Sequence, residues 1–312
     1  MITTVTLNPT IDIVAPVSGL KPGSVSRTKS VYSYPGGKGT NVARALASLG
    51  CDVEAAGFVG IRDSRETSHF LGHHGVSSSP VPCIGSNRIC LLITDTGKHP
   101  SETVINSESD IGITKKEVSA LYKVLKSLGA RSSHMVFSGS LPLGVPASFY
   151  AGVIALVREK CGVILDTSSK YLMHGIKARP HIIKQNVEEL RSAFGLKLSG
   201  RAAIKRDISA LSRKHSVPVI ITTMNEKGAL LFDRGSFVFF PPLKVKNIVS
   251  PVGSGDAFSA GLAYGLSKGM DMEQSCGWGM ACAAANLTHL GSCFINKKDV
   301  FSYLKKVRPS SY

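Results

Sequence analysis

The chain lacks most of the features that settle a protein's class at a glance. No window reaches the roughly 18 uninterrupted apolar residues of a membrane span. The opening MITTVTLNPTIDIV has no basic stretch ahead of its apolar residues, so it reads as a first strand and not as a signal peptide. The seven cysteines, Cys51, Cys83, Cys90, Cys161, Cys276, Cys282 and Cys293, form an odd set with no CxxC pair and no metal-ligand spacing. They read as small buried hydrophobes in a reducing cytoplasm. No GxGxxG follows the first strand, which excludes a Rossmann oxidoreductase. No GxxxxGK[ST] occurs, which excludes a Walker A loop. Tandem repeats and low-complexity tracts are missing, and no run of Lys and Arg is interleaved with aromatics as a nucleic-acid platform requires. Neither nucleic acid nor membrane is an expected partner.

What is present is an ordinary globular composition, 43% hydrophobic and 19% charged, over 312 residues. That length suits one domain over residues 1–312 with a small appendage. Lys plus Arg number 37 against 21 Asp plus Glu, a formal charge of +16 that favours anionic partners such as nucleotides or sugar phosphates. Short β-branched runs (ITTVTL, DVEAAGFVG, HMVFSGS, VILDTS, HIIKQN, VPVIITT) alternate with helical patterns such as NVARALASLG and KEVSALYKVLKSLG. This predicts an α/β fold, a three-layer doubly wound and mostly parallel sheet. Residues 12–34 and 83–106 break the rhythm without a crossover helix. They predict a small antiparallel β sheet projecting as a lid, the second segment as two strands joined by an exposed turn.

Three segments carry the chemistry. In Pro251-Val252-Gly253-Ser254-Gly255-Asp256-Ala257-Phe258 the glycines admit close backbone approach, and the helix that follows offers free N–H groups as an anion hole. Asp256 has two readings there, a helix-terminal cap or a general base. Gly36-Gly37-Lys38-Gly39-Thr40-Asn41 leads into a second helix and suits either an anionic or hydroxylated ligand or a tight turn with a solvated lysine. In Lys184-Gln185-Asn186-Val187-Glu188-Glu189 the Asn186 and Glu189 side chains, three apart, either organise waters around Mg²⁺ or stabilise a first helical turn.

Taken in order, TLNPTID at 6–12, GGKGTNVAR at 36–44, SGSLP at 138–142, KQNVEE at 184–189 and VGSGDAF at 252–258 resemble the ribokinase-like sugar kinases. The likeness is closer to their hexose-phosphate branch: 1-phosphofructokinases, tagatose-6-phosphate kinases and B-type 6-phosphofructokinases. The resemblance implies an ATP- and Mg²⁺-dependent kinase. It makes Asp256 the catalytic base and Gly253, Ser254 and Gly255 the anion hole. It puts Asp12, Gly37, Asn41 and Ser138 in the sugar pocket, with Arg27, Lys38 and Arg88 on the phosphate already present on the sugar. A dianion calls for guanidinium forks that a neutral sugar does not need; the alternative for Arg27 and Arg88 is a pair of solvated surface arginines. On the nucleotide side it assigns Lys184, Thr223, Asn225 and Gly228, with Asn186 and Glu189 acting on the metal through water. Family members often dimerise by pairing lids.

The chain also departs from the pattern. The SLGxxG turn reads Thr223-Met224-Asn225-Glu226-Lys227-Gly228, with Asn where Gly stands, a residue that tolerates left-handed geometry. KQN replaces KPN, IRDSR follows GFVG where another glycine is usual, and SESD follows Val104-Ile105-Asn106 in place of a Gly-Pro pair. The run LDTSSKYLMHGIKARPHIIKQNVEEL and the GALLF after Lys227 resemble 1-phosphofructokinases more than tagatose-6-phosphate kinases, which implies fructose 1-phosphate as acceptor, with fructose 6-phosphate or tagatose 6-phosphate as alternatives. Rival readings are a nucleoside or ribose kinase and a non-catalytic sugar-phosphate sensor.

Overall fold

The computed structural model describes residues 1–21, 23–97 and 101–312. Its strands are β1 Ile2–Thr6, β2 Thr10–Val17, β3 Tyr32–Gly36, β4 Val53–Gly60, β5 Ser77–Cys83, β6 Arg88–Asp95, β7 Ser101–Asn106, β8 His134–Ser138, β9 Gly162–Asp166, β10 Ile182–Asn186, β11 Val219–Thr223, β12 Ala229–Asp233, β13 Ser236–Phe240 and β14 Ser310–Ser311. The helices are α1 Lys38–Ser48, α2 Ser64–His73, α3 Lys115–Gly129, α4 Phe149–Val157, α5 Ser169–Gly175, α6 Val187–Phe194, α7 Arg201–His215, α8 Ser254–Ser267, α9 Met272–Asn286 and α10 Lys297–Leu304.

The large sheet runs β14-β13-β12-β11-β10-β9-β8-β1-β4-β5. From β11 to β5 every neighbouring pair is parallel, and β12 to β14 continue the sheet antiparallel. The parallel strands are apolar along their length because helices cover both faces. Val42 and Leu46 of α1, Leu71 of α2, Val300 of α10 and the buried faces of α8 and α9 share one core with Ile2, Val136 and Ile164. Side chains of α3 to α7 share the other with Val5, Phe137 and Leu165. The three-layer, doubly wound, mostly parallel fold read from the sequence is the one found.

Chain direction across the sheet places the site. From β1 the chain moves out to β4 and β5, then returns past β1 to β8 and on through β9, β10 and β11. The reversal makes the border of β1 and β8 the topological switch point, and ligands of open α/β sheets bind beyond the carboxyl ends of the strands there. Thr6 and Ser138, paired in register, mark that spot.

A second sheet, β3-β2-β6-β7, comes from the two irregular segments. Its outer pairs are antiparallel, as the sequence suggested, but the central β2–β6 pair is parallel, with Thr10 beside Arg88 and Val17 beside Asp95. The cause is connectivity: β2 and β6 are separated by the excursion through β3, α1, β4, α2 and β5, long enough for a parallel return. Cys83 closes β5 of the large sheet instead of opening the second hairpin, whose turn over 98–100 lies outside the described residues. One face of the small sheet packs on the body through Val14, Tyr34 and Leu92 against Phe70, Val252, Leu290 and Phe294. Its edge is tied down where Glu102 accepts hydrogen bonds from the Ser250 hydroxyl at 2.9 and 3.0 Å, just ahead of α8.

Candidate active site

α8 opens at Gly253, whose φ of +83° suits glycine and whose absent Cβ would run into Ser292. No side chain caps this helix. The N–H groups of Gly255 and Asp256 have no acceptor among the described residues, so the positive end of α8 is open to an anion. A clasp shapes the loop: the buried Asn286 amide donates to the Val252 carbonyl at 2.8 Å and to Ser254 Oγ at 3.1 Å, and its oxygen accepts the Cys293 N–H at 2.7 Å.

Asp256 is 6% exposed. Its Oδ2 accepts a 2.9 Å hydrogen bond from Asn41 Nδ2 on α1, across to a neighbouring helix and not back to its own terminus. Burial pushes the Asp256 carboxyl up to about 6; the Lys38 and Lys184 ammoniums and the Asn41 donor work against that, and the Asp166 charge adds to it.

The glycine run before α1 lets that helix start against the end of β1. A Cβ on Gly37 (φ +104°) or Gly39 would strike Thr6, and one on Gly36 would strike the Asp12 carboxylate. Lys38 Nζ then lies 3.7 Å from Asp166 Oδ1 and 3.9 Å from Glu189 Oε1. Asp166 above all, then Asp256 and Glu189, raise the lysine's pKa against the opposing effect of burial. The resemblance assigned Lys38 to the phosphate already on the sugar; the structure sets its ammonium among the carboxylates beside Asp256.

Asp12 is buried opposite Tyr34, its Oδ1 accepting from Thr10 Oγ1 at 2.6 Å, and burial raises its pKa despite Arg44 and Arg88 nearby. Arg88 opens β6 and donates from Nη1 to Asn106 at 2.9 Å, leaving Nε buried and without a partner among the described residues. Such an orphaned guanidinium nitrogen suits an anionic ligand. Arg27 lies exposed in the connection between β2 and β3, with no hydrogen bond or ion pair among the described residues. Ser138 is buried at the end of β8 with its hydroxyl likewise unpartnered.

On the other side, Lys184 is buried at the end of β10 with Nζ 2.7 Å from Asp166 Oδ2, and would be 3.8 Å from a Cβ on Gly255. Asn186 and Glu189 form a reciprocal capping box at the start of α6, each side chain meeting the other's backbone N–H at 2.8 Å. That local role leaves Glu189 Oε1 turned towards Lys38. Thr223 pairs with Asn186 in register, Asn225 takes φ +51° as its left-handed tolerance allows, and Gly228 takes +95° where a Cβ would meet the Phe240 carbonyl.

Sequence reasoning passed over Asp166. It ends β9 at 1% exposure, accepting from Lys184 and from Ser259 Oγ at 2.7 Å each. Burial pushes its carboxyl up, but Lys184 and Lys38 outweigh that and hold it below the usual range. The available signal was a carboxylate closing the apolar run VILD, at the strand end where sites form. Arg44, which closes the GGKGTNVAR motif with no role assigned to it, and Asn286, which falls in no motif, were also passed over; both are buried.

Asp166 Oδ1 is buried without a hydrogen-bond partner and Glu189 Oε1 faces the same space. Two carboxylate oxygens suit Mg²⁺, a hard ion that keeps several waters and shares its ligands with substrate phosphates. Among the described residues there is no cluster of three or more His, Cys, Asp or Glu that could hold a metal ion.

Fold and site together define a small-molecule kinase: an uncapped, glycine-opened helix start, a buried carboxylate of raised pKa beside it, and two lysines converging on a second carboxylate. The chain belongs to the pfkB family of carbohydrate kinases, whose family model matches residues 5–299. It is 31% identical over 312 residues to the 1-phosphofructokinase of Vibrio cholerae, covering 99% of this chain and 96% of that protein. With the 1-phosphofructokinase of Haemophilus influenzae it shares 29% over 286 residues, 91% and 90% of the two chains. Among solved structures, phosphofructokinase-2 from Escherichia coli in complex with potassium superposes with a TM-score of 0.89 at 21% identity, covering 98% of each chain. A nucleoside kinase from Methanocaldococcus jannaschii gives 0.73 at 19%, again over 98% of each. These last two establish the shared fold.

Proposed function

We propose that this chain transfers the γ-phosphoryl group of ATP to the hydroxyl of a hexose phosphate, with fructose 1-phosphate as acceptor and fructose 1,6-bisphosphate as product. The observation that carries the reaction type is Asp256, buried at the open end of α8 with its carboxyl pushed up to about 6, within one hydrogen bond of the sugar-side Asn41. The acceptor rests on the full-length similarity to two 1-phosphofructokinases and on the unpartnered Arg88 nitrogen.

Asp256 takes the proton of the attacking hydroxyl as that oxygen approaches the γ-phosphorus in line. The open N–H groups of Gly255 and Asp256, with Gly253 and Ser254 shaping the loop, stabilise the equatorial oxygens of the transferring group. Lys38, lying among Asp166, Glu189 and Asp256, neutralises charge between donor and acceptor, and Lys184 supports the nucleotide phosphates. Asn41, Asp12, Gly37 and Ser138 orient the sugar hydroxyls, while Arg88 holds the existing phosphate and Arg27 reaches it when the small sheet closes as a lid. Thr223, Asn225 and Gly228 shape the nucleotide side. Asp166 and Glu189, the latter steadied by Asn186, would hold the waters of Mg²⁺, which supplies charge neutralisation at the β- and γ-phosphates.

On the face of the small sheet away from Val14, Tyr34 and Leu92, Ile89 is 46% and Ile105 53% exposed, and Val31, just ahead of β3, is 58% exposed. That apolar surface supports dimerisation through paired lids. No helix among the described residues is long and apolar enough to cross a membrane, and a cytoplasmic enzyme remains the reading.

The test is ATP consumption against fructose 1-phosphate, fructose 6-phosphate, tagatose 6-phosphate, ribose, adenosine and unphosphorylated hexoses. Turnover greatest with fructose 1-phosphate supports the assignment. Preference for either 6-phosphate moves the acceptor, preference for ribose or adenosine removes Arg88 from its role, and sugar-phosphate binding without turnover would make the chain a sensor.

A further inference from the structure

Arg44 is 2% exposed and belongs to none of the groups that bind substrate above. It sits on α1 one turn beyond Asn41, among the rings of Tyr34 from β3, Phe70 from α2 and Phe294 from the segment after α9, at 5.2, 5.5 and 4.1 Å from their centroids. Its Nη2 donates to Asn41 Oδ1 at 3.2 Å and to the Ser292 carbonyl, beside the point where a Cβ on Gly253 would collide. Nε and Nη1 have no polar partner among the described residues. A guanidinium taken wholly out of water is costly, and three aromatic faces with two hydrogen bonds repay only part of that cost. A leucine or methionine would pack the same cage more cheaply, so the charge calls for a reason beyond packing.

We propose that Arg44 is a positioning residue that fixes the amide of Asn41 and thereby sets the basicity of Asp256. An arginine can only donate. With Nη2 against one end of the Asn41 amide, that end is held as the oxygen, and the NH₂ end is turned to Asp256 Oδ2. A donor on the carboxylate favours its ionised form, which is the form that accepts a proton. Were the amide free to turn over, its oxygen would face Asp256 and favour the protonated acid instead. Arg44 keeps the base a base without touching substrate, and through Tyr34, which pairs with Asp12 in register, it also joins the root of the small sheet to this arrangement.

Other groups around Asp256 act in parallel. Lys38 from α1 and Lys184 from β10 favour the carboxylate, Asp166 from β9 opposes it, and the Cys293 thiol lies close by. None of them can set the direction of the Asn41 amide. Around Arg44 the titratable neighbours are Cys293, Tyr34, Asp12 and Asp256, with the His74 ring packed on Phe70 and Phe294.

The inference rests on Asp256 being the base, so Asp256→Asn is measured first and separately: normal turnover there removes the base and the Arg44 role together. With that variant inactive, kcat and kcat/KM are followed against pH for wild type, Arg44→Gln, Arg44→Met, Asn41→Ala and Arg44→Gln/Asn41→Ala, with near-ultraviolet circular dichroism as the check of native packing. Arg44→Met removes the donor altogether, and Arg44→Gln, which can accept as well as donate, no longer dictates the direction of the amide and is read where Arg44→Met is not natively packed. The expected result is an acid limb displaced upwards by at least half a pH unit in Arg44→Met or Arg44→Gln, kcat falling tenfold or more with KM within threefold, and no additional displacement when Asn41 is already alanine. An acid limb at the wild-type position in natively packed Arg44→Met or Arg44→Gln, or displacements that add in the double variant, overturns the proposal and leaves Asp256 standing as the base.

Discussion

At the scale of residues the central fact is a carboxylate whose neighbours oppose one another. Asp256 is pushed up to about 6 by burial, against two lysines and one amide donor. The proposed base acts in its ionised form, so kcat/KM is expected to rise with pH through about 6 and to level above it. Asp256→Asn should lower kcat by about 10²–10⁴-fold, the usual contribution of a general base, with KM changed far less; steady-state kinetics on the variant checks this. The stability effect has the opposite sense. A folded pKa raised above the unfolded value contributes stability that is complete below about 4 and lost as pH rises through about 6. Asp256→Asn escapes that loss, so its melting temperature relative to wild type should be higher at pH 7.5 than at pH 4.5. A constant difference across that range would mean that the carboxyl ionises as easily in the folded chain as in the unfolded one. Asp256 was legible in the sequence because it stands in a glycine-bounded motif. Asp166 and Arg44 were not: a lone Asp ending a strand has no local spacing, the motif that Arg44 closes gives it no partner, and only the fold brings Lys184, Ser259 and three aromatic rings around them.

At the scale of elements, α6 shows how one pair of side chains can serve two purposes. Asn186 and Glu189 cap the helix reciprocally, yet Glu189 Oε1 is left facing Lys38 and the space beside Asp166. Replacing Glu189 with Gln separates the purposes, because Gln completes a capping box as well as Glu does but brings no charge to a cation. Glu189→Gln is expected to hold folding stability to within about 0.5 kcal/mol, read by chemical denaturation, while raising the Mg²⁺ concentration needed for half-maximal turnover severalfold. An unchanged Mg²⁺ requirement would leave Glu189 as a cap alone. Element identity was widely readable here: the apolar strand runs and the α3 pattern appear where the sequence placed them, since local composition decides them. The parallel β2–β6 pairing was hidden, because the two strands are brought together by intervening elements that belong to the large sheet. The surroundings of Arg27 and Arg88 were equally hidden. Sequence proximity to the small sheet placed both there, but Arg88 starts a strand and is held by Asn106, whereas Arg27 lies in an exposed connection.

At the scale of the whole molecule the positive charge is unevenly spread. Residues 115–215 hold 18 of the 37 Lys and Arg but 6 of the 21 Asp and Glu, a net +12 of the chain's +16. That segment supplies α3 to α7, the helices on one face of the sheet, and α6 begins at the candidate nucleotide side. Both proposed substrates are polyanions, so a field of one sign along this layer should raise their encounter rate, an effect that salt screens over a Debye length of about 30 Å at 0.01 M and about 8 Å at 0.15 M. The expected outcome is a kcat/KM for ATP that falls several-fold between those ionic strengths while kcat stays within twofold. Lys177, Lys197, Arg213 and Lys214 are exposed and have no ion-pair partner among the described residues. Replacing all four with Gln should flatten the salt dependence while leaving kcat at high salt as it was. If the four-site variant keeps the wild-type slope, the salt effect belongs to the site itself, to Lys38, Lys184 and Arg88, and the charged layer does not steer.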